Sequence, residues 1–132
     1  MSGKRTLVGA LVIVVALVVI RGIMIIGSPS EERTRRMDSR RVDDLQGISR
    51  FIEIYHSRHQ QVPSSLEELA KEPGLANVAV DPVSNEPYGY QMLNATSYQL
   101  CGVFDREAAD SRAADIWAHG AGRQCFTRNI KP

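Results

Sequence analysis

Polarity along this chain changes sharply, and the first change is the strongest. Thr6 to Gly27, "TLVGALVIVVALVVIRGIMIIG", holds a single charge in 22 residues. At about 1.5 Å per residue it reaches roughly 33 Å, the thickness of a bilayer's hydrocarbon layer. No polar stripe interrupts the run, as it would in a helix with one face on a protein core. A signal peptide has a shorter apolar region and a small-x-small cleavage site, and "IIGSPS" offers no A-x-A. The pattern predicts a transmembrane helix over 6–27, with residues 1–5 as a cytoplasmic N-terminus.

The next pattern is periodic. "GSPSEE" interrupts the apolar run, because Pro29 does not continue a helix and Glu31 and Glu32 suit the first turn of a new one. From there to about Gln60, Val42, Leu45, Ile48, Phe51, Ile52 and Tyr55 recur every three or four positions, one buried stripe of a long helix. Arg40, Asp43, Asp44, Arg50 and Glu53 read as its solvated face. In "VPSSLEELAK", Ser64 with Glu67 fits a capping box, and Leu66 and Leu69 give a short second helix that stops at Pro73 and Gly74.

Beyond that, alternation replaces the helical period. Asp81-Pro82 and Glu86-Pro87 impose extended or turn geometry, so "DPVSNEPYGYQM" is a corner between helices and sheet. A hairpin follows, with strands near Tyr88–Leu93 and Ser97–Phe104 joined by the "NATS" turn. "DREAADSRAADIWAHGAG" is a loop, and "RQCFTRNI" a third strand. The fold class expected is α+β: a transmembrane helix, then a long amphipathic helix and a short helix packed on a small three-stranded antiparallel sheet. Residues 28–41 are the polar linker and start of the second helix, and 42–132 the globular domain.

Length and charge narrow the picture. The chain has 132 residues, 16 Lys and Arg against 15 Asp and Glu, and a formal charge of +1. No basic field argues for nucleic acid. Without the apolar helix roughly a hundred residues remain, a size at which a core is marginal. Cys101 and Cys125 are the two cysteines. If their strands are neighbours, a disulfide fits and adds about 3 kcal/mol; two reduced core cysteines are the alternative. A disulfide requires an oxidising compartment. Against it, Lys4 and Arg5 precede the helix while Arg33, Arg35, Arg36, Arg40 and Arg41 follow it, and a positive-inside count would put the domain in the cytoplasm. With the cysteines weighed above the arginines, the expectation is a domain outside the cytoplasmic membrane.

The order Tyr55, Pro63, Leu66, Leu69, Asp81-Pro82, Pro87, Tyr88 and Tyr98, following a membrane helix, resembles the G-type major pseudopilins of type II secretion over roughly Val42 to Phe104. The resemblance implies a long helix packed on a small antiparallel sheet, a role in assembly and, together with the cysteines, a bacterial inner-membrane protein with its C-terminal domain in the periplasm or cell exterior. It stops at the N-terminus: Gly3 is followed by neither the aromatic residue nor the acidic residue on which that family's peptidase cleavage and filament growth depend. Nor does the family's calcium site carry over, since Asp105, Asp110 and Asp115 match no known loop spacing.

Candidate chemistry is thin. Arg21, the one charge inside the apolar run, either reaches the outer headgroups or pairs with a group of a neighbouring membrane subunit. His56 and His59 stand three apart on a helix but have no third ligand at a recognised spacing. Trp117 either caps the core or anchors a partner contact. His119 is a second possible contact residue, or joins Cys101 and Cys125 in a metal or redox site if those are reduced. Asn94 lies in a glycosylation sequon, yet turn chemistry accounts for it. No catalytic residue, cofactor or metal is expected, and no small-molecule substrate. The expected function is that of a non-enzymatic, single-pass accessory or structural subunit whose partners are the bilayer and other membrane proteins. The alternatives are a divergent pilin-like component of a type II secretion or type IV pilus-like system, and a metal-binding or redox protein.

Overall fold

A computed structural model describes residues 2–26, 28–74, 80–108 and 116–131. The chain divides into two compact units, Met1–Arg33 and Thr34–Pro132. The second begins before Val42, where the apolar stripe starts, because the polar residues Asp38 and Arg41 are also part of its interior.

Helix α1 runs Ser2–Ile26. Its large apolar side chains from Leu7 to Ile25 are all exposed, and none of its most apolar 18-residue window is buried. It is long and apolar enough to cross a membrane. Helix α2, Pro29–His59, opens with the proline at its first position, where a missing N–H costs nothing. Ser28 caps it, accepting from the Glu31 N–H at 3.3 Å on Oγ and 3.0 Å on its carbonyl oxygen. Pro29 thus starts a helix.

In the second unit the stripe of α2 is buried as the period requires: Leu45, Ile48, Ile52 and Tyr55 are in the core, with Val42 and Phe51 at its margin. Helix α3, Leu66–Lys71, is capped one residue later than its sequence suggests. Ser65 accepts from the Glu68 N–H, and Glu68 reaches back to the Ser64 N–H at 2.7 Å and hydroxyl at 2.5 Å. Ser64 and Glu67 are therefore not the capping pair. Glu68 also accepts the Tyr55 hydroxyl at 2.6 Å, which fixes α3 against α2.

The sheet is antiparallel, in the order β1-β2-β3, with β1 at Gly89–Asn94, β2 at Ser97–Phe104 and β3 at Gly122–Asn129. Asn94 shapes the hairpin turn, its Oδ1 accepting from the Thr96 N–H and hydroxyl. A bulge between Met92 and Asn94 shifts the register there. One face of β2, with Tyr98, Leu100 and Phe104, joins the α2 stripe in a single apolar cluster with Val62, Leu69, Tyr88 and Phe126. Each such side chain contributes about 1.5–3 kcal/mol on burial. Gly102 keeps the contact close: a Cβ there would lie 3.4 Å from the Leu45 side chain. A buried hydrogen bond of 2.7 Å joins Ser49 of α2 to the Tyr98 hydroxyl, giving the sheet a fixed register on the helix.

Candidate functional site

The densest polar constellation of the second unit is centred on Arg41. Its guanidinium meets three carboxylates, each at 2.7 Å: Asp38 one turn earlier, Asp81 in the loop before β1, and Asp105 just past β2. Arg41 and Asp38 are each 5% exposed and Asp81 8%. Arg41 was counted above among the arginines following the membrane helix; it is a core residue.

The two buried carboxylates of the cluster hold backbone groups as well as Arg41. Asp38 also accepts from the backbone N–H groups of Asp105 and Arg106, at 3.0 and 2.9 Å. Asp81 accepts from the N–H groups of Val83 and Ser84, both at 2.9 Å, and its own N–H donates to the Glu86 carbonyl. That is why "DPVSNEP" has its composition: Asp81 organises the turn with one oxygen and holds Arg41 with the other, while Asn85 takes a φ of 58° that suits asparagine. Burial raises the Asp81 carboxyl, but the hydrogen bonds from Arg41, Ser84 and Val83 more than offset it, and it stays below the usual carboxylate range. Burial likewise opposes the charge on Arg41, and its hydrogen bonds to the three carboxylates reverse the direction and raise it. Asp44, assigned above to the solvated face, accepts the Tyr88 hydroxyl at 2.9 Å. Burial and then this contact push the Tyr88 phenol well above its ordinary value. The cluster's chemistry is geometric: guanidinium has no proton to give near neutral pH, and its N–H groups, donating to Asp38, Asp81 and Asp105, tie α2, the Asp81 loop and the end of β2 into one piece.

The cysteines lie on the other face of the sheet. Cys101 and Cys125 are directly opposite in register and form a disulfide, with Cα atoms 4.1 Å apart. Gly89 of β1 is the next residue in the same row. A Cβ at Gly89 would stand 2.9 Å from the Cys101 Cβ, closer than real contacts allow, so glycine is required there. An open cleft of about 370 Å³ runs beside this row, lined by Asp81, Val83, Pro87, Gly89, Cys101 and Arg123.

Trp117 and His119 are both 7% exposed and packed in the interior. His119 stacks on Phe104 with ring centroids 3.7 Å apart, and its backbone carbonyl accepts from the Ala108 N–H. Trp117 lies 5.0 Å from the Phe126 ring, and the Arg128 guanidinium sits over it at 5.5 Å. Since both cysteines are in the disulfide, His119 has no thiolate to share a metal with. His56 and His59 go separate ways. His59 stacks on Tyr55 and lies 3.2 Å from a Glu72 oxygen, whereas the His56 Nε2 is buried without a hydrogen-bond partner. Among the described residues no three His, Cys, Asp or Glu side chains converge in a way that would hold a metal ion. Asp105 belongs to the Arg41 cluster, and Asp110 and Asp115 lie outside the described residues. Arg21 is exposed on α1 among apolar side chains.

Sequence reasoning missed the Arg41 cluster. The available signal was an Asp and an Arg at i and i+3, placed so as to extend the apolar stripe of α2 towards its N-terminus. Comparison of the chain with protein-family models, with curated proteins and with solved structures returns no match.

Proposed function

We propose that this chain is a single-pass membrane protein that works by contact rather than turnover. It holds a pseudopilin-like domain outside the cytoplasmic membrane as an accessory or structural subunit of a larger membrane assembly. The observation that carries the reading is α1: 25 residues, one charge between Arg5 and Glu31, and apolar side chains exposed on every face. Such a surface suits lipid and the helices of other membrane proteins.

Two features of the second unit support the rest. A long helix on a three-stranded antiparallel sheet is the architecture that the resemblance to G-type pseudopilins implies. The Cys101–Cys125 disulfide suits an oxidising space, which favours the periplasm or cell exterior over the side indicated by the arginine count.

The test combines extraction, protease access and mass. The chain should stay in membranes washed with alkaline carbonate, the domain should be cut by protease added to intact spheroplasts, and alkylation without reductant should leave both cysteines unmodified. A domain protected from external protease and carrying two alkylated thiols would overturn the placement. Intact mass separates the filament-forming alternative, which requires a mature chain starting just after Gly3.

A further inference from the structure

Resting on the membrane reading above, we propose that Arg21 is the docking residue for a transmembrane helix of another protein that carries an Asp or Glu at the same depth. Three observations lead there. The first is isolation: Arg21 is the only charge from Thr6 to Ser30, in a helix whose neighbouring side chains Val14, Leu17, Val18 and Ile25 are apolar and more than half exposed. An unpaired Arg costs about 2.5–3.5 kcal/mol at the bilayer midplane on insertion scales, and less where it can reach the headgroups.

The second is depth. Arg21 precedes the end of α1 at Ile26 by five residues, so it sits about 7 to 8 Å inside the nearer end of the apolar run. The third is direction. Cα–Cβ bonds in a helix tilt towards its N-terminus, and long side chains follow them. Lys4 and Arg5, at the N-terminal end of α1, therefore start out towards the headgroups they would reach. Arg21, near the C-terminal end, starts out towards the bilayer centre and has to fold back to reach the interface nearest to it. Snorkelling is geometrically easy for the first two residues and opposed for the third.

A carboxylate on a neighbouring helix removes this conflict. It can meet the guanidinium with two parallel N–H···O bonds at the depth towards which a Cα–Cβ bond in this helix is tilted. Val14, Leu17 and Val18, one and two turns earlier on the same side, supply the apolar surface against which such a helix packs. Charge complementarity thus selects an acidic membrane helix over a lipid phosphate, which lies at the level that Arg21 has difficulty reaching.

The experiment uses the full chain in its native membranes, with a photo-cross-linking amino acid at Leu17. The expected product joins the chain to a protein with an Asp or Glu inside a membrane span. Its yield should fall at least about tenfold with Arg21→Leu, a loss of about 1.4 kcal/mol or more, and be largely retained with Arg21→Lys. Replacing the partner's acid by Leu should abolish the product, and reversing both charges (Arg21→Asp with the acid changed to Arg) should restore it. Cross-links to phospholipid alone, to spans without an acid, or of equal yield in Arg21→Leu would overturn the inference. A chain that alkaline carbonate removes from the membrane would instead overturn the membrane reading itself.

Discussion

Two arginines twenty positions apart show what the two units of this protein do with charge. Arg41 is almost fully buried and meets three carboxylates at 2.7 Å. Arg21 stands exposed among aliphatic side chains, and among the described residues it has no ion-pair partner. A protein core and a lipid layer alike penalise a cation by desolvation, and the remedy is the same, a carboxylate within hydrogen-bond reach. In the second unit the chain supplies that remedy from its own sequence and gains rigidity. In α1 it does not, and a charge that a fold leaves uncompensated in an apolar setting is what a partner can recognise. Self-sufficiency marks the structural arginine, and its lack marks the one available for contact.

Replacing Arg41 should break this comparison with the largest effect. Arg41→Leu leaves Asp38 and Asp81 buried and facing each other, so the domain should lose about 3–5 kcal/mol in chemical denaturation of the detergent-solubilised chain. Almost as large is the covalent term. The cysteines are 24 residues apart in sequence, and closing a loop of that length accounts for about 3 kcal/mol. Cys101→Ala with Cys125→Ala should lower the denaturation midpoint accordingly.

Both effects come from long-range pairings, which explains how much could be read in advance. The helices and strands were legible because each follows a local period: the stripe from Val42 to Tyr55, and the alternation from Ser97 to Phe104, whose predicted ends coincide with β2. The α+β class followed. Illegible were the polar contacts across distance. Asp38 and Arg41 look like any solvated ion pair one turn apart until Asp81, forty residues beyond Arg41, closes over them. The caps slipped by one residue for a related reason. "PSSLEE" contains two serines and two glutamates at equivalent spacing, and Tyr55 on another helix decides which glutamate turns inward. For Trp117 the sequence left core cap and partner anchor open, because its loop is rich in small residues; Phe104 and Phe126, which pack against His119 and Trp117, come from the strands β2 and β3.

Smaller substitutions sharpen the contrast. Ser49→Ala removes the buried partner of the Tyr98 hydroxyl and should cost about 1–2 kcal/mol by the same denaturation assay. Glu68→Gln should cost about 1 kcal/mol and change the acid limb of the stability profile. Hydrogen bonds from Ser64 and Tyr55 hold the Glu68 carboxyl down at about 2 in the folded state. Its contribution is therefore complete above the unfolded value near 4.5 and lost as pH falls towards 2. Denaturation midpoints measured across that window should fall less steeply in the variant. The hydrogen bond to Glu68, and after it burial, push the Tyr55 phenol up to about 12. At the bottom of the scale, Arg21→Leu should leave the midpoint of the domain unchanged within about 0.5 kcal/mol, even where it abolishes the membrane contact. A large loss of domain stability from that substitution would erase the distinction between the two arginines.

The strap between Cys101 and Cys125 also determines what a protease can accomplish. It encloses the whole connection from Phe104 to Gly122, so a peptide bond severed inside that connection releases nothing: β3 remains tethered to β2 by sulfur, and its Phe126 stays in place beneath Trp117 and Phe104. On the proposed extracytoplasmic placement, a nick there would be survivable so long as no reductant is at hand. The clipped form would run as two bands after thiol treatment and as one without it.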